Sequence, residues 1–281
     1  MSIAITGATG QLGRLVIEGL KKKTTSPEII ALARSLTKGN ELGVSVRETD
    51  YEKPETLVTA LQGITTLLLI SGNELGRRAA QHHNVVLAAK NASVKRIVYT
   101  SLLHADVSQL SLAVEHRKTE EDIRASGIPY SILRNGWYTE NYLGSIGAAL
   151  ASGAVIGSAG NGRISSAARI DFADAAIEVL TNDAHVGATY ELAGDSAYTL
   201  SDLANEVSRQ TGKSIEYRNL PATAYAAALT QFGIPQEFAQ AIASWDVAAS
   251  DGALFDDGRQ LSKLIGRATT TLETSVRKAL A

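Results

Sequence analysis

Three evenly spaced glycines near the start of the chain constrain this sequence more than anything that follows. They are Gly7, Gly10 and Gly13, within Ile5-Thr6-Gly7-Ala8-Thr9-Gly10-Gln11-Leu12-Gly13. They follow the apolar stretch Ser2-Ile3-Ala4-Ile5-Thr6 and open a segment in which Leu12, Leu15, Val16 and Leu20 recur at helical spacing. A strand that turns on glycine into a helix leaves the first N–H groups of that helix, and its dipole, facing open space, a setting that attracts phosphate. In a dinucleotide-binding turn the first glycine makes the bend and the second admits the pyrophosphate to the backbone. The third brings helix and sheet close together. The expected ligand is therefore a dinucleotide, held by Gly7, Ala8, Thr9, Gly10, Gln11 and Leu12.

The rest of the first half has the matching architecture. Strands are expected at 2–6, 28–34, 44–48, 65–70, 95–100 and 129–134, and helices at 11–23, 53–62, 76–92 and 111–126. The strand runs are almost continuously apolar, as in Ile29-Ile30-Ala31-Leu32-Ala33 and Thr66-Leu67-Leu68-Leu69-Ile70. Both faces must then be covered by helices, which is the condition of a parallel sheet. The alternation predicts an α/β fold with a doubly wound parallel sheet of the Rossmann type. Beyond residue 136 glycine and alanine become more frequent, and helices are expected at 171–182, 201–211, 222–232, 236–250 and 270–280. Pro221 and Pro235 begin two of them, where a missing N–H is harmless. The expected organisation is a dinucleotide-binding domain over 1–135 and a smaller, mostly helical lobe over 136–281. Segments of the second part return to the first, and the lobe is expected to wall a substrate cleft at the carboxyl edge of the sheet.

Composition removes several alternatives. A formal net charge of −2 over 281 residues shows no basic excess that would point to nucleic acid. The chain has no cysteine, which rules out disulfides, thiolate metal sites and cysteine nucleophiles. The run Leu67–Ile70 is far shorter than the roughly 20 residues of a membrane span, and the N-terminus lacks the features of a signal peptide. A soluble cytoplasmic protein without a membrane partner is expected. Gly212-Lys213-Ser214 ends like a P-loop, but Val207 stands where its first glycine belongs. His82 and His83 are adjacent and cannot both face one metal from a helix, and no metal site is expected.

The end of the second strand bears on which dinucleotide binds. An NAD site carries Asp or Glu about 20 residues beyond the loop to bond the ribose 2′-hydroxyl. This chain has Arg34 there. A guanidinium grips a 2′-phosphate bidentately where a carboxylate would repel it; the alternative is a solvated surface arginine. NADPH is the expected cofactor. Asp50 has the position of an adenine-side contact, or of a plain loop residue. Ligands in such sheets bind at the carboxyl ends of the strands, which here carry Ser71-Gly72-Asn73, Thr100-Ser101 and Asn135-Gly136-Trp137-Tyr138. None of the nine tyrosines is followed four residues later by lysine, so the Tyr-x-x-x-Lys proton donor of ketone reductases is absent. A hydride acceptor that needs little general-acid help, such as a quinone, a conjugated dye or an activated alkene, fits better.

Taken together, several segments resemble the NmrA-like group of atypical short-chain dehydrogenases, and within it the bacterial NADPH-dependent quinone oxidoreductases of type 2. They are Gly7–Gly13, Arg34, Ser71-Gly72, Tyr99-Thr100-Ser101-Leu102-Leu103-His104 and Gly127-Ile128-Pro129-Tyr130, with Leu133 through Tyr142. The likeness extends to Leu254-Phe255-Asp256-Asp257 and Leu261–Gly266 near the end. It implies two-electron transfer from NADPH to a small-molecule quinone. It also implies cofactor contacts from the glycine loop, Arg34, Ser71, the loop of Gly76, Arg77 and Arg78, the segment Tyr138, Thr139, Glu140, Asn141, Tyr142 and Leu143, and Arg169. Plant relatives carry a lysine where this chain has His116, which either donates a proton near neutral pH or is an ordinary helix residue. Asn135 either orients the nicotinamide amide or quinone oxygen, or caps the helix that follows. Ser101 and His104 stand at the same edge, and Ser101 joins Asn135 and His116 as a catalytic candidate. NmrA itself is a dinucleotide-binding regulator without evident turnover, which leaves a redox sensor as the competing class. A homodimer is the one protein partner this reading carries.

Overall fold

The continuous apolar runs of the first half become the buried centre of one sheet. The computed structural model describes residues 2–23 and 27–281. The chain begins β1 (Ser2–Ile5), α1 (Gln11–Lys21), β2 (Glu28–Ala33), α2 (Leu36–Asn40), β3 (Ser45–Glu48), α3 (Pro54–Ala60) and β4 (Thr66–Leu69). It continues α4 (Arg78–Asn91), β5 (Arg96–Leu102), α5 (Ala113–Ser126), β6 (Tyr130–Asn135), α6 (Thr139–Leu143), α7 (Ile146–Ser152), β7 (Ala154–Gly157) and α8 (Arg169–Thr181). The last third is β8 (Thr189–Leu192), α9 (Leu200–Thr211), β9 (Glu216–Asn219), α10 (Ala222–Gln231), α11 (Gln236–Ser250), α12 (Gln260–Ile265) and α13 (Leu272–Leu280).

The seven-stranded sheet has the order β3-β2-β1-β4-β5-β6-β8. The parallel register runs through pairs such as Ile3 with Ile29, Ala4 with Leu67, Leu68 with Val98, and Tyr99 with Ile132. The order reverses between β1 and β4, the place where doubly wound sheets open a crevice at their carboxyl ends. Every residue of β1, β4 and β5 is buried, as expected for a sheet covered on both faces. One face packs Ile30, Leu32, Leu67, Leu69, Ile97 and Tyr99 against Leu57, Leu61, Val85, Ala89 and Ile123 of the helical layer. On the other face α1 packs against α8, and Gly19 lets Ile177 approach so closely that a β-carbon would collide with it.

The chain forms two compact units. The first comprises 1–106, 112–135 and 169–190, so α8 and the first half of β8 return to it after a long excursion. The second comprises 107–111, 136–168 and 191–281. Within it β7 and β9 form a parallel pair, Val155 opposite Tyr217, covered by α9, while α10 and α11 pack as a hairpin. A capping box starts α9: Thr199 accepts from the Asp202 N–H at 3.1 Å, and Asp202 accepts from the Thr199 N–H at 2.9 Å. Four short elements, α2, α6, α7 and α12, are too brief to show a helical period in the sequence. The strands β7, β8 and β9 escaped notice for a related reason. Each is four residues long, and Glu216-Tyr217-Arg218-Asn219 and Thr189-Tyr190-Glu191-Leu192 are not apolar runs.

Candidate active site

Beyond β1 the chain turns at Gly7, whose φ of +58° is in the left-handed region open to glycine. The Gly10 N–H donates to the Gly7 carbonyl at 2.9 Å and the Arg14 N–H to the Gly10 carbonyl at 3.0 Å, winding the turn directly into α1. A β-carbon on Gly13 would stand 2.5 Å from the Gly7 carbonyl oxygen and 2.8 Å from the Ala8 Cα. Glycine is thus required for helix and turn to approach this closely. Gly10 brings no side-chain cap to α1, and no acidic residue lies in its first turn. The positive end of the helix is therefore not neutralised by a cap or an acidic residue of its own first turn. Ala8 and Leu12 are buried while Gly7, Gly10 and Gln11 are exposed, so the loop offers mainly backbone.

Arg34 follows β2 directly, and its side chain is 73% exposed. Its Nη1 lies 3.2 Å from Oε1 of Glu74, in the loop after β4. Gly76, with φ of +79°, turns that loop. Arg77 pairs with Glu52 and stands 3.7 Å from Glu74. Gln81 donates to Glu74 at 2.9 Å and to Glu52 at 3.3 Å. Asp50 accepts from the Glu52 N–H at 3.0 Å and so shapes its own turn.

Behind this edge, between β5 and the α4–α5 layer, the side chains form a closed polar network. The Ser71 N–H donates to Thr100 Oγ1 at 2.9 Å, and the Gly72 N–H to His82 Nε2 at 3.0 Å. The Gly72 carbonyl accepts from Arg78 Nε at 2.6 Å. Arg78 is buried, so instead of lying open along the loop it clamps the loop from within. Thr119 donates to the Glu115 carbonyl and therefore accepts from Nδ1 of His82, at 3.0 Å. His82 is thereby neutral with its proton on Nδ1. Burial, aided by the Arg78 charge, pushes its pKa down to about 3.

His116 belongs to the same network, and here the expectation changes. Its Nδ1 is 2.7 Å from the Tyr99 hydroxyl, and the residue is only 5% exposed. Burial first, then the charge of Arg78 and the neighbouring His82, hold its pKa well below the ordinary histidine value. At neutral pH the imidazole carries no acidic proton to donate, and it is a packed helix residue. Ser101 changes as well. Its Oγ donates to Glu120 Oε1 at 2.6 Å, and the same carboxylate takes Arg134 Nε at 3.0 Å and Nη2 at 2.9 Å. Burial alone would raise the Glu120 pKa. Hydrogen bonds from Arg134 and Ser101 and the charges of Arg134 and Arg124 outweigh it and hold the carboxyl below its usual range. The Ser101 proton is thus committed to a buried ion pair.

Asn135, the last residue of β6, is different. It is 4% exposed, and neither its Oδ1 nor its Nδ2 has a hydrogen-bond partner among the described residues. A buried amide with both ends unmatched costs stability unless something else completes it. His104, just past β5, has φ of +52°, a backbone state rare for a side-chain-bearing residue and concentrated at functional edges.

The profile of the NmrA-like family matches residues 1–278. The chain belongs to the NmrA-like family. It is 54% identical to quinone oxidoreductase 2 of Escherichia coli strain K12 over 277 residues, covering 98% of this chain and 97% of that one. Its fold superposes with a TM-score of 0.96 on the crystal structure of the Escherichia coli NADPH-dependent quinone oxidoreductase complexed with NADPH, at 53% identity, covering 99% of this chain and 100% of that one. The Citrobacter sp. triphenylmethane reductase complexed with NADP(H) gives a TM-score of 0.94 at 39% identity, covering 99% of each chain.

In this NmrA-like chain the segment Tyr138–Leu143 lies in the second compact unit and divides into anchors and accessible positions. Thr139 is buried, its N–H donating to Ala167 at 2.9 Å and its hydroxyl 2.8 Å from that of Ser166, and Leu143 is buried too. Tyr138, Glu140 and Tyr142 are half-buried and Asn141 is exposed. Arg169, half-buried, opens α8. The Tyr142 hydroxyl points to Asp246 Oδ1 at 3.5 Å. Asp246 accepts from the Ser158 N–H at 2.9 Å, and burial pushes its pKa up to about 6. Both tryptophans of the chain form a ladder here. Trp137 meets Trp245 edge to face at 5.7 Å, and Trp245 meets Phe238 at 5.9 Å. Asp246 and this aromatic run were not foreseen. Trp137 lies within the segment Asn135–Tyr138 singled out in the sequence, but Ser-Trp-Asp in α11 gives no local sign of what it will meet.

Proposed function

We propose that this chain is an NADPH-dependent quinone oxidoreductase. The observation that carries the reading is the 54% identity to quinone oxidoreductase 2 over nearly the whole of both chains. A crystal structure with TM-score 0.96 to this fold, described as a complex with NADPH, supports the cofactor. The residues of this chain fit that cofactor on their own terms. The uncapped α1 terminus behind Gly7–Leu12 suits the pyrophosphate, Arg34 with Arg77 suits the 2′-phosphate, and the unmatched Asn135 amide suits a carboxamide or a quinone oxygen. Ser71, Gly76 and Arg78 shape the intervening loop, and Tyr138–Leu143 and Arg169 are assigned to the cofactor's remaining length.

When bound, NADPH supplies a hydride from its nicotinamide ring. The protein's part is to bind, orient and exclude. Arg78 and His82 hold the Ser71-Gly72 backbone from behind, and Asn135 fixes whichever polar group completes its amide. A quinone reduced by hydride becomes a stabilised aryloxide that takes its proton from water, so the neutral state of His116 and the committed proton of Ser101 do not obstruct the reaction. The half-buried Trp137 and the exposed Phe238, both meeting the buried Trp245 edge to face, offer aromatic contacts suited to a planar acceptor.

The test is the loss of nicotinamide absorbance when purified protein is mixed with NADPH and small benzo- or naphthoquinones. Turnover above the uncatalysed rate is expected; none would overturn the enzyme in favour of an NADPH-binding sensor. The 39% identity to a triphenylmethane reductase favours a second acceptor class, triphenylmethane dyes, and decolourisation in the same cuvette tests it. Among the described residues no helix is long and apolar enough to cross a membrane. A cytoplasmic homodimer completes the reading, with light scattering behind size exclusion as the check on the assembly.

A further inference from the structure

We propose that the Glu74 carboxylate is a built-in competitor of the coenzyme's 2′-phosphate, and that its hold on Arg34 sets how strongly this chain prefers NADPH to NADH. The inference rests on the NADPH reading above.

Glu74 is held in place from several sides. Its backbone carbonyl accepts from the Arg77 N–H at 3.2 Å and the Arg78 N–H at 3.0 Å, tying it to the start of α4. Its Oε2 accepts from Gln81 at 2.9 Å, which leaves Oε1 to meet Arg34 Nη1 at 3.2 Å. A phosphate binding Arg34 competes with Glu74 for the guanidinium, and it brings a second negative group against the carboxylate. The ribose 2′-hydroxyl of NADH makes no such demand, so the Arg34–Glu74 pair can persist beneath it. NADPH binding therefore carries a displacement cost that NADH binding does not. Arg34 is largely exposed, which keeps that cost modest because exposed pairs are weakened by solvent.

Replacing Glu74→Gln removes the charge and keeps an amide able to reach Gln81. The experiment measures Kd for NADPH and for NADH by nicotinamide fluorescence in four proteins: wild type, E74Q, R34Q and E41Q. Glu41 pairs with Arg14 at 3.3 Å and serves as a matched charge removal away from Arg34. E74Q is expected to tighten NADPH by roughly two- to fivefold with NADH unchanged, while E41Q leaves the NADPH-to-NADH ratio alone and R34Q abolishes the preference. An unchanged or reduced preference in E74Q overturns the proposal, as does E41Q matching E74Q, which would reduce the effect to general surface charge. If R34Q destroys the preference and E74Q does nothing, only the Glu74 inference falls. If R34Q keeps the preference intact, the 2′-phosphate assignment falls with it.

Discussion

The hydroxyl of Tyr99 lies 2.7 Å from Nδ1 of His116, in a buried layer where the imidazole is held neutral. The ring is neutral and burial raises the tyrosine's own pKa, so neither group changes its charge through the physiological range. Tyr99→Phe should leave His116 Nδ1 buried without this hydrogen-bond partner, costing about 1–3 kcal/mol in urea denaturation. The kcat pH profile should show no histidine step before or after the change. A step near neutrality that disappears in His116→Gln would restore His116 as a proton donor.

Ser101→Ala separates structure from chemistry at the sheet edge. The serine proton satisfies Glu120 Oε1, so its loss should lower stability by about 1–3 kcal/mol while kcat stays within about twofold, a range far below the usual worth of a general acid. A fall in kcat of a hundredfold with normal melting would contradict that division.

Asn135→Leu should move the two properties in opposite directions. An unmatched buried amide is replaced by an apolar side chain of similar size, so stability should hold or rise by about 1 kcal/mol. Turnover should drop by roughly tenfold or more if the amide orients the reacting groups. Calorimetry and steady-state assays on one preparation decide it; a destabilised but active variant would mean that Asn135 only supports the strand end.

Gly13→Ala puts a methyl group against the Gly7 carbonyl and the Ala8 backbone, atoms with no freedom to retreat. Dinucleotide affinity should fall at least about tenfold, with destabilisation of about 1–3 kcal/mol from the forced shift. Fluorescence titration with NADPH measures the first and thermal melting the second.

Stability should rise with pH across the mildly acidic range. His82 and His116 have depressed native pKa values, so their contribution is full above the unfolded value near 6.5 and is lost as pH falls towards the native values, about 3 for His82. Asp246 acts in the opposite sense. Its native value of about 6 lies above the unfolded one, so its contribution is present at low pH and lost as pH rises through about 6. Between pH 5 and 6 two protons oppose one, a net slope of about 1.4 kcal/mol per pH unit. Asp246→Asn removes the opposing proton and should steepen the slope to about twice that. Denaturant titrations at half-unit intervals measure it, and equal slopes in both proteins would place the Asp246 titration elsewhere.

The glycine turn and the parallel sheet were legible in the sequence because each depends on local pattern. Gly7, Gly10 and Gly13 act within one turn, and the apolar runs of β1, β2, β4 and β5 show burial on both faces. The employment of Ser101 and His116 was not legible, because it depends on Glu120 and Tyr99, which reach them only once α5 is laid on β5. Asp246 is further still from view. Its partners Ser158 and Tyr142 are 88 and 104 residues away, and a lone aspartate in an alanine-rich helix looks like surface. The seventh strand was missed because Thr189–Leu192 lies at the sheet edge, partly exposed and without an apolar run.

The route of the chain back into the first unit has a consequence for its synthesis. Residues up to Asn135 emerge from the ribosome as an incomplete layer, because α8, the helix that covers α1, arrives only with 169–181 and the unit closes at Tyr190. At cellular translation speeds that interval lasts about 3–11 s. Throughout it, the side of α1 that carries Gly19 lacks the Ile177 of α8 that packs on it. The order in which the gene spells out its helices therefore sets an interval in which most of the first unit is already made but the unit is not yet complete.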